Sequence, residues 1–288
     1  MMKMERPNDA ELSLVNEFKR TIWSKFRKGI KEYDLIQKGD RIAVCISGGK
    51  DSMLMALCMK RLQRYSDVPF ELIYLVMDPG YNEVNFKQIE GNAQRLEIPI
   101  QVSRTRIFES AEKAEQHPCF LCSRLRRGYL YKTAQQLGCN KIALGHHFDD
   151  VIETILMGML YGSQMQTMMP KIHSEHYKGM QLIRPLYLVR EQDIISWQQQ
   201  NGLEFIRCAC RITDSSTQGS SKRQEIKALL KQLREVNPAV DMNIFRSAEN
   251  VNLQTLISYH RGEERHHFLD DYDEGRSVRG TVAWETEE

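Results

Sequence analysis

No apolar run in the chain approaches the roughly 20 residues that a membrane-spanning helix requires, which excludes a transmembrane helix. The first 30 residues are charged and helical in pattern, unlike a secretory signal peptide, so a soluble, cytoplasmic protein with no membrane partner is expected. No internal repeat is present, which excludes a solenoid or propeller. Net charge is small as well: 40 Lys and Arg against 38 Asp and Glu leave only +2. A Walker loop is missing too, because Gly49-Lys50 is followed by Asp51 and no glycine stands five residues before Gly49.

What is present is more specific. The near-neutral balance hides three basic groups: one from Lys19 to Lys31, one at Arg124, Arg126, Arg127 and Lys132, and one from Lys222 to Arg234. An acidic stretch after Glu263 offsets them. Local basic groups on a near-neutral protein suit a polyanionic partner, although each alone also reads as a solvated helix face. Seven cysteines in a chain with no export signature argue against a disulfide framework and for thiol or metal chemistry.

Periodicity organises the chain. Leu12, Val15, Phe18, Ile22, Trp23, Phe26 and Ile30 recur at three- and four-residue steps, which predicts one amphipathic helix from Ala10 to Leu35. Apolar runs at Ile42–Ile46, Phe70–Met77, Ile98–Val102 and Lys141–Gly145 read as strands. They alternate with helical patterns near 53–62, Asn82–Leu96, Leu125–Leu137 and Asp150–Tyr161, followed by helices at Glu191–Gln200 and Lys222–Val236. Alternation of this kind predicts an α/β fold, a parallel sheet with helices on both faces and flanking helices at both ends. The expected organisation is an N-terminal helical segment 1–38, a main domain 39–213, a C-terminal helical extension 214–261 and an acidic, flexible tail 262–288.

The hexamer Ser47-Gly48-Gly49-Lys50-Asp51-Ser52 lies between the first strand and its helix. That setting aims backbone N–H groups and a helix N-terminus at a phosphate. Paired glycines allow close approach, and Lys50, Ser47 and Ser52 add a charge and two hydroxyls. A plain tight turn is the bland reading, and it does not call for Lys, Asp and two serines together. Gly145-His146-His147-Phe148-Asp149-Asp150 leaves another strand at the same sheet edge, so both segments should face one crevice. Asp149 and Asp150 there are either helix caps or functional carboxylates, and His146 and His147 either shape the turn or take part.

The hexamer resembles the PP-loop of the ATP pyrophosphatase superfamily, whose members split ATP between the α and β phosphates. Ser47, Gly48, Gly49, Lys50, Asp51, Ser52 and Gly145 are then the expected nucleotide-binding residues. Lys50, Asp51 and Asp150 are the expected catalytic groups, with Mg²⁺ bridging phosphates at Asp51 or Asp150. Fold analogy places Met77 or Leu75 near the adenine.

Cys45, Cys58 and Cys139 read as small buried hydrophobes. Cys119-Phe120-Leu121-Cys122 and Cys208-Ala209-Cys210 are tight pairs, open to a zinc site, a redox dithiol or an iron–sulfur cluster. The string Pro118-Cys119-Phe120-Leu121-Cys122-Ser123-Arg124-Leu125-Arg126-Arg127-Gly128 closely resembles the central motif of tRNA-cytidine 2-sulfurtransferases. So does Ala143–Asp150, and Ile183-Arg184-Pro185-Leu186 and Arg190-Glu191 follow in the same order, over residues 15–235. The resemblance implies an enzyme that uses ATP to adenylate the C2 oxygen of a cytidine in the tRNA anticodon loop, at position 32, and replaces it with sulfur. It implies a 4Fe–4S cluster on three cysteines: Cys119, Cys122 and, from the downstream pair, Cys208, with Cys210 the alternative. It also implies a homodimer and a sulfur donor, either sulfide or a cysteine desulfurase. Rival readings are a uridine thiolase, a lysidine synthetase and a non-catalytic, zinc-containing RNA-binding protein.

Overall fold

The structure, a computed structural model, describes residues 8–112, 118–206 and 222–274. Two compact units divide the chain, residues 1–229 and 230–288. The first is built on a six-stranded sheet of order β3-β2-β1-β4-β6-β5, from β1 Arg41–Ile46, β2 Glu71–Asp78, β3 Ile100–Arg104, β4 Lys141–Ala143, β5 Lys171–His173 and β6 Gln181–Ile183. All neighbours are parallel except β5 on β6, which is antiparallel. The α/β sheet with helices on both faces that the alternation predicts is the observed fold.

Residues of β1 show why both faces are covered. Ile42, Val44 and Ile46 point into a core with α3 (Lys50–Tyr65), α8 (Glu191–Gln200) and the N-terminal helices. Ala43 and Cys45 point the other way, onto Tyr131 and Ala134 of α6 (Pro118–Gln136). Side chains of successive strand residues alternate faces, so a strand buried on both sides reads as one continuous apolar run. Cys45, Cys58 and Cys139 are buried, in line with their reading as small hydrophobes.

Four segments depart from the sequence reading. The N-terminal helix is broken into α1 (Asp9–Val15), a π-helical turn at Lys19–Trp23 and α2 (Ser24–Glu32). A π turn inserts one residue per turn, which shifts the apolar stripe without abolishing its three- and four-residue spacing. Helix α6 starts at Pro118, not Leu125. Proline costs nothing at a first helical position, where its missing N–H has no partner in any case. Strand β3 runs two residues later than expected, Ile100–Arg104, because Pro99 cannot donate to the ladder. In the second unit, the boundary expected at 262 falls inside an antiparallel hairpin, β7 (Ser258–Arg261) and β8 (Glu264–His267). Gly262 takes φ 66° in its turn, and a 3₁₀ segment reaches Glu274. No described helix is long and apolar enough to cross a membrane.

The remaining helices are α4 (Glu83–Arg95), α5 (Ile107–Glu112), α7 (Phe148–Gly162), α9 (Lys222–Val236) and α10 (Val240–Ser247). Strands β2 and β3 lie on one side of β1, and β4 lies on the other. The sheet therefore reverses its winding between β1 and β4. A crevice opens outside the carboxyl ends of the strands at such a switch point.

Candidate active site

Both loops predicted to share a crevice leave the sheet at that switch point, after β1 and after β4. Gly48 sits at φ 85°, in the left-handed region, and a Cβ there would lie 2.6 Å from Ile89 and 2.7 Å from Ile206. Ser52 fastens the loop: its Oγ accepts the Ser47 N–H at 3.1 Å and donates to the Gly49 carbonyl at 2.9 Å. Ser47 Oγ lies 3.2 Å from the same oxygen, and Tyr81 Oη donates to the Ser47 carbonyl at 3.2 Å. Helix α3 starts at Lys50 with Gly49 as its N-cap, which leaves the first-turn N–H groups without a side-chain cap.

Gly145 brings the second loop against the first. A Cβ at Gly145 would stand 3.0 Å from Asp51 C and Ser52 N, both backbone atoms that cannot swing aside. The two loops thus enclose one cavity of about 530 Å³, which Ser47, Asp51, Ser52, Gly145, His146 and Asp150 line from one side. Met77 closes it at the end of β2, and Cys122, Ser123, Arg126 and Arg127 face it from α6. Leu75, the other residue placed near an adenine, is buried in the sheet and does not border the cavity.

The carboxylates divide by role. Asp149 is buried and ties α7 to α8: it accepts the Glu191 N–H at 2.7 Å and the Arg190 guanidinium at 3.2 Å. Asp150 stands at the third position of α7 in a capping box with His147. Its Oδ2 accepts the His147 N–H at 3.1 Å, and its Oδ1 meets Arg223 of α9 at 3.0 Å. Asp51 carries a buried Oδ1 that makes no hydrogen bond, although Lys50 Nζ is 3.1 Å away. Burial raises the Asp51 carboxyl above the usual range, against the pull of His147 and Lys50.

A network that single motifs do not reveal holds this arrangement. Lys50 Nζ donates to Glu191 Oε1 at 2.9 Å, and Lys227 of α9 donates to Glu191 Oε2 at 3.0 Å. Lys227 and Arg223 also face Glu153 of α7, each at 3.6 Å. Burial alone would raise Glu191, but the two lysines outweigh it and hold the carboxyl down to about 2. Burial would lower Lys50, yet Asp51 and Glu191 keep its ammonium above the ordinary value. His146 is pushed down to about 4 by burial, with Arg184 adding to the effect, so its imidazole is neutral at physiological pH. Its Nδ1 is buried without a partner.

Among the residues expected from sequence, Ser47, Gly48, Gly49, Lys50, Asp51, Ser52, Gly145 and Asp150 meet around one crevice. Cys122 is buried and lines the same cavity. Cys119 lies in the first turn of α6, three residues before Cys122, while Cys208 and Cys210 lie outside the described residues. Glu191, Glu153, Arg223 and Lys227 were not singled out as site groups. For Glu153 a signal is available: it follows Asp150 by three residues, a spacing that puts both on one side of α7.

Two groups that this chemistry implies can be tested against the residues present. No described group of three or more His, Cys, Asp or Glu is arranged to hold a metal by itself. Mg²⁺ with a nucleotide does not need one, since it takes one or two carboxylates plus phosphates and water. Asp51 Oδ1, buried and lacking a hydrogen bond, fits that pattern. A thiolate-ligated cluster needs sulfur at the cavity wall, and Cys122 supplies it next to the phosphate loop.

Comparison with known proteins adds four findings. A PP-loop domain model matches residues 18–233. The chain is 35% identical over 233 residues to the tRNA-cytidine(32) 2-sulfurtransferase of Syntrophotalea carbinolica, covering 80% of this chain and 88% of that one. It is 36% identical over 228 residues to the protein of the same name from Alkalilimnicola ehrlichii, covering 77% and 70%. Among solved structures, the U34-tRNA thiolase NcsA from Methanococcus maripaludis with its 4Fe–4S cluster superimposes with a TM-score of 0.62, over 78% of this chain and 76% of that one. At 20% identity that likeness is one of fold.

Proposed function

Because the chain belongs to the tRNA-cytidine(32) 2-sulfurtransferase family of PP-loop proteins, we propose that it is an ATP-dependent tRNA thiolase that replaces the C2 oxygen of cytidine 32 with sulfur. One observation carries the reading: the phosphate loop, Asp150 and Cys122 line a single cavity. Cys45 also lines that cavity, from β1, but Cys122 differs in belonging to the Cys119–Cys122 pair at the start of α6.

The chemistry explains the combination. The C2 oxygen of cytosine is a poor leaving group until it is joined to phosphorus. In the first step that oxygen attacks the α-phosphorus of ATP, the bond to the β-phosphate oxygen breaks, and pyrophosphate departs. Lys50 and the N–H groups of Ser47–Ser52 stabilise the charge that grows on pyrophosphate, acting from fixed positions in a partly dry site. Asp51 would hold Mg²⁺, which would supply positive charge for the phosphates. His146, neutral and facing the cavity, adds no charge that would compete with Lys50 for the nucleotide. In the second step a nucleophilic sulfur bonds to C2 and AMP leaves with the former C2 oxygen.

Cys119, Cys122 and Cys208 would hold the 4Fe–4S cluster, with Cys210 the alternative third ligand. When bound, the cluster supplies sulfur in a form able to attack carbon. The sulfur itself comes from sulfide or a cysteine desulfurase. Anaerobic purification tests the reading: the protein should be brown, carry about four irons and four sulfides per chain, and release pyrophosphate from ATP only when tRNA is present. A colourless, zinc-loaded protein that leaves ATP intact would overturn it.

A further inference from the structure

The three basic groups legible in the sequence have different fates in the fold. On α9, Arg223 is 3.0 Å from Asp150 and Lys227 is 3.0 Å from Glu191, so that charge is neutralised within the site. On α2, Lys25 faces Asp193 at 3.6 Å and Lys28 faces Glu32 at 3.4 Å, while Arg27 and Lys31 are exposed with no carboxylate paired to them among the described residues, so that group is half neutralised. On α6, Arg124, Arg127 and Lys132 are exposed, and no carboxylate among the described residues pairs with them. Basic side chains held together without counter-charges repel one another, and an anionic partner relieves that repulsion.

These three residues border a second cavity, of about 800 Å³, and no Asp or Glu stands among its described lining residues. Its floor is aromatic: Tyr131 stacks on Tyr177 with ring centroids 5.1 Å apart and planes 9° from parallel. Tyr177 Oη donates to the Gly128 carbonyl at 2.8 Å, which fixes the ring against α6. Ser123 and Arg127, one helical turn apart, line this cavity and the inner one alike. Arg127 follows Cys122 by about 7.5 Å along the helix axis, at 1.5 Å rise per residue.

We propose that the outer groove along α6 holds the RNA strand on either side of the target nucleotide, with its phosphates on Arg124, Arg127 and Lys132. The target base passes Ser123 and Arg127 into the inner cavity. This rests on the tRNA-thiolation reading and adds to it the surface that carries the substrate. A basic groove with an aromatic floor matches single-stranded RNA, whose loop bases are unstacked and whose charge lies on the backbone. A target atom inside a stacked loop has to be turned out of the stack before chemistry can reach it. A helix wall shared by both cavities allows that while the flanking phosphates stay fixed.

The test is tRNA binding by the anaerobically purified full chain, measured by fluorescence polarisation over a range of salt. The double variant Arg124→Ala/Lys132→Ala should weaken binding about tenfold or more. Its slope of log affinity against log salt should shrink by roughly 1.4–1.8, the release expected for two phosphates. ATP affinity should stay as in the unmodified protein. Lys28→Ala/Lys31→Ala on α2 should move neither quantity. If truncation alters the thermal melt, Arg124→Gln/Lys132→Gln repeats the reading at nearly full side-chain length. Unchanged tRNA affinity and slope in the α6 variant, or equal losses in both double variants, would overturn the proposal and leave the thiolation reading standing. An unmodified protein that binds no tRNA would overturn both.

Discussion

Lys50 of the phosphate loop and Glu191 at the start of α8 are joined at 2.9 Å across 141 residues of sequence. Glu191 is in turn shared with Lys227, so the loop lysine is oriented by a carboxylate that a third element holds in place. Glu191→Gln keeps the shape and removes the charge. It should cost about 1–2 kcal/mol at neutral pH, between the ranges for exposed and for buried pairs. The sign with pH follows from the folded carboxyl lying near 2, below its ordinary 4.5. The pair's stabilisation is complete above about pH 4.5 and is lost as pH falls toward 2. Urea unfolding across that range should show the unmodified protein losing stability that the variant never had.

His146 gives a separate window. Its folded pKa of about 4 lies below the ordinary 6.5. The unfolded chain therefore takes up a proton before the folded one does, and stability falls as pH drops from about 6.5 toward 4. His146→Gln should flatten that limb while leaving the Glu191 limb below it in place. A parallel shift of the whole curve, with no flattening, would contradict the assignment.

Gly145→Ala tests the closeness of the two loops. The added carbon would meet backbone at 3.0 Å, so one loop has to retreat, and ATP affinity should fall more than tenfold. Gly91→Ala in α4, where a Cβ meets nothing within 4 Å, is the control. It should leave ATP affinity unchanged and raise stability by about 0.5–1 kcal/mol, since alanine suits a helix better than glycine. Isothermal titration with a non-hydrolysable ATP analogue measures both.

The ligand set of the proposed cluster is tested one cysteine at a time. Cys119→Ala and Cys122→Ala should each abolish the visible absorbance and most of the iron. Of Cys208→Ala and Cys210→Ala, one should do the same and the other should not, which identifies the third ligand. Retention of full iron in both would mean that the downstream pair does not ligate.

Local chemistry is what the sequence makes legible. Ser47–Ser52 could be read as a phosphate cradle because its meaning lies in six neighbouring residues between a strand and a helix. A helix near Glu191–Gln200 was legible in the sequence, and α8 spans those residues. What could not be read was either distant or conformational. Glu191, Glu153, Arg223 and Lys227 belong to three helices, and their charges look solvated until the fold brings them together. The break in the N-terminal helix was hidden because a π turn preserves an apolar stripe. The sequence leaves Asp150 open as a helix cap or a functional carboxylate; in the fold one of its oxygens caps, accepting the His147 N–H, and the other meets Arg223.

The most direct measurement is nucleoside mass spectrometry of tRNA incubated anaerobically with the protein, ATP, Mg²⁺ and sulfide, with pyrophosphate counted in the same reaction. The expected result is 2-thiocytidine at position 32, formed with one pyrophosphate per modified base and absent with Lys50→Ala. Pyrophosphate release without any thiolated cytidine, or thiolation that proceeds without ATP, would contradict the central claim that the loop activates the oxygen which sulfur then replaces.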